Sequence, residues 1–278
     1  MPLDPSRCDE LTDLLDAALP GEALGADELL AVLWDDPGVV LGDDRGVTAA
    51  VVRESTAGRR TGHVRLLAVH PGARRQGRGR ALLAAAEEWL RERDVSEAVI
   101  GGEAPFYLWP GVDVRATGAL SLLEVAGYVP RGAVCNLSCP STFRRAAPEG
   151  TEIRRVLDDA DVTRLLTRVG EEWPWWVPEV ERGSETGGVF AALEGEAVVG
   201  FACHSVNRVG WVGPMGTQPD RGGRGIGSAL LGAVCRDLMV AGRPDAEIAW
   251  VGPIAFYARV TGAAVSRVFR VYRKDLVA

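Results

Sequence analysis

The sequence predicts a mixed α/β protein built as two tandem domains, and three observations carry that reading. A strand, turn and helix start occur together twice. VRLLAVHPGARRQGRGRALL from Val64 to Leu83 returns as VGPMGTQPDRGGRGIGSALL from Val212 to Leu231, with Pro219 on Pro71, Gly225 on Gly77, Gly227 on Gly79 and Leu230-Leu231 on Leu82-Leu83. Each copy is preceded by helical spacing and short β-rich runs, and followed by an apolar strand and a helix. Between the copies, Cys139 to Gly150, CPSTFRRAAPEG, has two prolines and no period, as a boundary does. The expected domains are residues 1–140 and 151–278. A chain of 278 residues, 47% hydrophobic and 25% charged, can bury two ordinary cores.

In the first copy, Leu11, Leu14, Leu15 and Ala18, then Leu29, Leu30 and Leu33, predict helices over 7–19 and 26–34. Gly38 to Leu41 and Val47 to Val52, joined by Gly42-Asp43-Asp44-Arg45-Gly46, read as a hairpin. His63 to Val69 is the strand that delivers the turn. Leu82, Ala85, Ala86, Trp89 and Leu90 give the next helix an apolar face. Val95 to Ile100 reads as a buried strand, and a helix follows from about Thr117 to Ala126. Between them lies Gly101 to Asp113, GGEAPFYLWPGVD. It holds Phe106, Tyr107 and Trp109 either as a lid or domain-contact loop or as plain packing.

The second copy opens with a strand at Glu152 to Val156. Asp158 or Asp159 then caps a helix to about Val169, with Leu165, Leu166 and Val169 turned inward. EEWPWWVP, Glu171 to Pro178, holds three of the eight tryptophans. It is either a wall for an apolar or aromatic amine or an aromatic cluster at the domain seam. Glu171 and Glu172 either attract an ammonium group or are merely solvated. Val189 to Leu193 and Ala197 to Val206 turn through Glu194-Gly195-Glu196 and lead to the strand at Trp211 to Thr217. Leu230, Leu231, Val234, Cys235 and Leu238 form the next helix face, followed by a strand at Ala246 to Val251. Phe256-Tyr257 and a closing strand at Arg267 to Asp275 complete the copy.

A net charge of −7 counts against nucleic acid as the main partner, since phosphate neutralisation needs a basic stripe beyond the two turns. The arginine excess over a single lysine, Lys274, reads as bacterial coding bias. Five cysteines, an odd number without ligand spacing, read as buried free thiols in a reducing cytosol. His63, His70 and His204 have no spacing that suggests a metal. With no basic-then-apolar leader and no run of about twenty apolar residues, a cytoplasmic protein without a membrane partner is expected.

The repeated turn suits an anion. A strand that ends in glycines and enters a helix leaves the first helical N–H groups unpaired at the positive end of the helix dipole. Glycine removes side chains from the approach, and the arginines add charge. Neither copy has Gly-Lys-Ser/Thr after the turn or G-x-G-x-x-G spacing. The pattern Arg74-x-x-Gly77-x-Gly79, after a strand and before an Ala/Leu helix, resembles the coenzyme A pyrophosphate loop of the GNAT N-acetyltransferases. Its duplication in register makes the resemblance specific, although Gly222 stands where Arg or Gln is usual. The tandem arrangement is similar to that of mycothiol synthase and other two-domain bacterial acetyltransferases.

The resemblance implies two GNAT acyl-CoA N-acyltransferase domains with acetyl-CoA as donor and no metal. It assigns donor binding to Leu67, Val69, Arg74, Arg75, Gln76, Gly77, Arg78, Gly79 and Arg80 in the first copy, with Ala68 on the same strand edge. In the second copy it assigns Met215, Thr217, Gly222, Gly223, Arg224, Gly225, Ile226, Gly227 and Ser228, with Gly216 on the edge. It also implies a tyrosine general acid one helical turn before a glycine. The first copy offers Ala119, Leu123, Gly127 and Tyr128 in that frame, and leucine cannot protonate a thiolate. Tyr107 substitutes only if its loop folds back. The second copy offers Tyr257, with one residue more than usual before Gly262. The expectation is acetyl transfer to a small-molecule amine by direct attack in the second domain, by a monomer or homodimer. The rival is a non-catalytic acyl-CoA-binding sensor or scaffold, and protein acetylation is a third possibility.

Overall fold

A computed structural model describes residues 1–34, 38–54, 58–101, 105–186 and 188–276. In chain order the elements are α1 (Cys8–Ala18), α2 (Ala26–Leu33), β1 (Gly38–Asp43), β2 (Gly46–Glu54), β3 (Arg60–Val69), α3 (Arg78–Arg91), β4 (Glu97–Ile100), β5 (Val112–Asp113), α4 (Thr117–Val125) and β6 (Val129–Pro140). There follow β7 (Glu152–Arg155), α5 (Asp159–Glu172), α6 (Val177–Thr186), β8 (Val189–Glu194), β9 (Ala197–His204), β10 (Trp211–Thr217), α7 (Ile226–Val240), β11 (Asp245–Ile248), α8 (Ile254–Thr261) and β12 (Ala264–Asp275).

These elements form two compact units, one of Met1–Val134 with Val268–Ala278 and the other of Cys135–Arg267. Each unit draws on chain outside the expected limits of 1–140 and 151–278. The first unit takes Tyr272 to Asp275 as an antiparallel partner for β4. The second takes Leu137 to Pro140 as a partner for β11. The last two of these, Cys139 and Pro140, fall at the start of the stretch expected to be a boundary. The alternation of all four explains the strand, since Leu137 and Cys139 are buried while Ser138 and Pro140 are less so.

In the first unit β1, β2 and β3 pair antiparallel, and β3 pairs parallel with β4. Before α1 the chain makes one isolated antiparallel bridge, Pro2 to Leu41. Alternation along the strands divides the side chains between two faces. Val47, Ala49, Leu66 and Ala68 pack with α1 and α2, whereas Ala50, Val64, Ala98 and Ile100 pack with α3 and α4. Leu108 is fully buried against the first of these faces, and Trp109 Nε1 donates to Glu22 Oε2 at 2.9 Å. This part of the 101–113 segment therefore packs within its own unit; residues 102–104 lie outside the described residues.

In the second unit β7, β8, β9 and β10 pair antiparallel in sequence order, and β10 pairs parallel with β11. Val189, Ala191, Phe201 and Cys203 meet α5 and α6; Phe190, Ala192, Ala202 and Val212 meet α7 and α8. Asp158 is the cap of α5, its Oδ1 accepting from Asp161 N at 2.8 Å. Asp158→Ala is expected to cost about 1 kcal/mol in urea denaturation, and an unchanged midpoint would refute the cap's contribution. All five cysteines are free, four of them buried.

Candidate functional site

The two glycine turns share one backbone. Each begins with a single 3-10 turn, Pro71–Ala73 or Pro219–Arg221, and ends at a left-handed glycine that caps α3 or α7. Gly77 has φ 81° and ψ −8°, and Gly225 has φ 89° and ψ 2°. A Cβ at Gly77 would meet nothing within 4 Å, and one at Gly225 only Pro148 Cγ at 4.0 Å. Conformation, not crowding, is what calls for glycine here. Two positions earlier the copies differ: Arg75 sits at φ 62°, a region unfavourable to side chains, where the second copy has Gly223 at φ 76°.

The strand before each turn parts from its parallel neighbour. The β3–β4 ladder runs from Gly62↔Ala98 to Val64↔Ile100, and β10–β11 holds Trp211↔Glu247 and Val212↔Ile248. Past these pairs, Leu67, Ala68 and Val69, like Met215, Gly216 and Thr217, pair only with the antiparallel neighbour among the described residues. A register shift in the β10–β9 ladder between Val212 and Met215, containing Gly213 and Pro214, marks where the second split begins. Each unit thus has a strand with one free edge leading to helical N–H groups, which could accept an extended amide-bearing arm and its anionic end.

The arginines are partly committed elsewhere. Arg74 Nε donates to Val69 O at 3.1 Å and its Nη2 to Ala18 O at 2.8 Å, so this side chain braces the first split. Arg78 pairs with Asp43, while Gln76 Nε2 donates to Gly72 O at 3.2 Å. The Arg80 side of the turn is exposed. In the second copy Arg221 and Arg224 both reach Glu194, at 3.0 and 2.9 Å. Glu194 was legible only as part of a hairpin turn; its distance in sequence from the arginines hid this role. Gly222, at the position of Arg74, has no side chain of its own to reach the strand end as Arg74 does. Ile226 and Ser228 are buried inside the first turn of α7.

Tyr257 lies on α8, 7% exposed, in the core cluster of the α7 face with Leu137, Cys139 and Cys235. Burial, with a smaller effect of Cys139, pushes its phenol up to about 12. It is Phe256, edge-on to Tyr257 at 4.9 Å, that approaches the turn, 3.4 Å from where a Gly227 Cβ would be. In the first unit Leu122 takes that place, 3.1 Å from a Cβ at Gly79, while Leu123 is buried. Tyr107 is also buried.

On the opposite face of the second unit, Trp173 and Trp176 pack around Phe201 with centroids 5.4 and 5.8 Å away. Trp173 Cζ2 lies 3.2 Å from a Cβ at Gly216, so the indole flanks the free strand edge. Trp175 is 60% exposed beside them. Glu171 pairs with Arg168 at 2.9 Å. The histidines have local partners: His70 Nδ1 accepts from Gly72 N at 3.2 Å, and His204 Nε2 lies 2.7 Å from Asp237. Burial pushes the His63 imidazole down to about 3. Among the described residues no cluster of three or more His, Cys, Asp or Glu could hold a metal ion, and no helix is long and apolar enough to cross a membrane.

The Acetyltransferase (GNAT) family matches residues 9–104 and 151–261, one region around each turn. The chain belongs to this family. It is a tandem GNAT protein, and the mixed sheet with a split before each turn is the expected fold. A mycothiol acetyltransferase from Geodermatophilus obscurus is 27% identical over 189 residues, spanning 59% of this chain and 57% of that relative. A tandem GNAT protein from the clavulanic acid biosynthesis pathway has a TM-score of 0.76 at 16% identity, covering 100% of this chain and 98% of that one. A GCN5-related N-acetyltransferase from Sphaerobacter thermophilus has a TM-score of 0.68 at 20% identity, covering 100% and 95%. These two structures support the GNAT fold alone.

Proposed function

We propose that the second unit transfers an acetyl group from acetyl-CoA to the primary amine of a small molecule by direct attack. The observation that carries this reading is the free edge of Met215, Gly216 and Thr217, which begins where β10 leaves β11 and ends at the left-handed Gly225 before α7. The fit is physical: a strand edge offers donors and acceptors to an amide-bearing arm, and the glycine-capped helix offers N–H groups to a diphosphate. Arg224 and the backbone of Gly222, Gly223, Gly225, Ile226, Gly227 and Ser228 would hold that diphosphate. The coenzyme supplies an activated thioester; the chain supplies orientation, a polar backbone around the carbonyl and a protonated phenol at Tyr257.

Tyr257 serves as the acid for the departing sulfur. Burial keeps it protonated at neutral pH, so it can give a proton but not act as a standing anion. Trp173, Trp175 and Trp176 wall the acceptor side, and the family membership supports an amine as acceptor. The fold and the cytosolic setting inferred from free cysteines suit a small-molecule enzyme. Thiol release from acetyl-CoA across a panel of amines tests the reading. Tyr257→Phe is expected to lower kcat about 100-fold while the donor KM stays within about twofold. Donor binding with no amine-dependent release, unchanged by this substitution, would favour the sensor instead.

For the first unit a second reading is favoured by a specific observation. Leucines 122 and 123 stand where an acid would be needed, and Arg74 already occupies the Val69 carbonyl. This unit serves as a structural or coenzyme-binding domain.

A further inference from the structure

Where β11 leaves β10, the backbone can be followed bond by bond. Glu247 N donates to Gly210 O at 3.4 Å and Ala249 N to Val212 O at 3.1 Å, so odd-numbered residues of β11 face β10 and even-numbered ones face β6. Continued, that alternation would send Val251 N to β10. It donates instead to Cys135 O at 2.9 Å. The register of β6 on β11, which ends at Ile248↔Leu137, would have given that carbonyl to Trp250. Trp250 N donates to a side chain in its place, reaching Asn136 Oδ1 at 2.9 Å. Two residues of β11 thus stand against one of β6, as in a β-bulge, and the Asn136 amide supplies the acceptor that the ladder lacks. Trp250 takes up the turn at φ 45°, a conformation unfavourable to an L side chain.

Asn136 is fully buried, next to the core residues Leu137 and Cys139 on the same strand. A buried amide needs partners at both ends. Its Nδ2 donates to Glu247 Oε1 at 2.6 Å, which leaves Oδ1 for Trp250. The first unit pairs Tyr272 with Ile100 as the second pairs Leu137 with Ile248, and the residue before Tyr272 is Val271. A valine accepts no hydrogen bond, so this support belongs to the second unit. Asn136 also lies outside the family match at 151–261.

We propose that Asn136 is a positioning residue for acyl transfer in the second unit, holding the split open at its thioester end; this rests on the acyl-transfer reading of that unit. An arm laid along Met215, Gly216 and Thr217 with its diphosphate at Gly225 has its thioester end beside Pro214. The β10–β11 ladder, continued by two residues from Ala249 on Val212, would set Val251 N on the Pro214 carbonyl. With that N–H drawn to Cys135, the β11 side of Pro214 is left to the donor. Without the Asn136 amide, Trp250 N loses its acceptor and the bulge its support. Val251 then returns to β10 and narrows the split where the acetyl group must sit.

Calorimetry on the full chain with two probes tests this. Coenzyme A carries the arm, and adenosine 3′-phosphate 5′-diphosphate carries the same anionic end without it. Asn136→Val is expected to weaken coenzyme A about 10-fold, the scale of one lost buried hydrogen bond, and to leave the armless probe within about twofold. A unit that was merely destabilised would lose both or neither. Asn136→Asp should also weaken coenzyme A, because its carboxylate meets that of Glu247. Adding Glu247→Gln restores both hydrogen bonds with donor and acceptor exchanged, and should return the affinity to within about threefold of wild type. If Asn136→Val does not fold, the Asp variant and the double variant, read on coenzyme A alone, decide. Unchanged coenzyme A affinity in Asn136→Val, an equal loss of both probes, or a double variant no better than Asn136→Asp overturns this inference alone. A wild-type protein that binds neither probe overturns the acyl-transfer reading and the inference together.

Discussion

A valine at Gly225 is expected to weaken acetyl-CoA binding to the second unit by about 100-fold or more, with a smaller loss of stability. The left-handed conformation of this residue costs an L side chain about 1–2 kcal/mol, and a β-branched one pays at the upper end. The surroundings do not add to that, since the nearest atom to a new Cβ is Pro148 Cγ at 4.0 Å. The fold should therefore persist while the turn relaxes. A relaxed turn no longer aims the N–H groups of α7 at one point, and a branched side chain stands in the anion's approach. Calorimetry with acetyl-CoA on the folded variant measures this directly. Unchanged donor affinity would show that the turn does not hold the diphosphate. The matching Gly77→Val, at the same conformation, reports whether the first unit binds any donor.

The second large effect is on stability against pH. Glu179 holds its proton up to about 8 in the folded protein, against an ordinary value of 4.5. Because the folded value is raised, the contribution of the neutral carboxyl is fully present below the unfolded value. It is lost progressively as pH rises from about 4.5 through 8. The loss is on the order of 5 kcal/mol, because each tenfold change in proton affinity is worth about 1.4 kcal/mol. Glu179→Gln, which cannot ionise, should lack this component. Urea denaturation at about pH 5 and pH 9 should therefore show the variant overtaking wild type at the higher pH. Parallel stability profiles for the two proteins would count against a buried, protonated Glu179, because every other titrating group is common to both.

Much of this protein could be read locally. The hairpins, the helix faces and both turns depend on period and on glycine, which lie within a few residues of one another. A cap at Asp158 or Asp159 was legible for the same reason, and the fold gives it to Asp158, three residues before the N–H it caps. What escaped is what depends on distant chain. The pairing of Leu137 to Pro140 has no turn signature to announce it, and its partner β11 lies far along the sequence. Glu194 looks like any hairpin acid until the fold brings Arg221 and Arg224 to it. Glu179 sits in a run of polar helix residues where nothing but the packing of α6 reveals its burial. The EEWPWWVP segment could be recognised as aromatic, but its contact with Gly216 required the strand register.

The topology also governs how the chain reaches its native state. The edge of β4 is closed by Tyr272 to Asp275, and the Arg273 to Glu97 hydrogen bond spans 176 residues. During translation the first half must therefore wait, with a strand edge open to other chains, until the far segment has emerged from the ribosome. Expressed in isolation, that half should seek a substitute strand and tend to self-associate, whereas supplying the missing segment in trans should restore a well-behaved species.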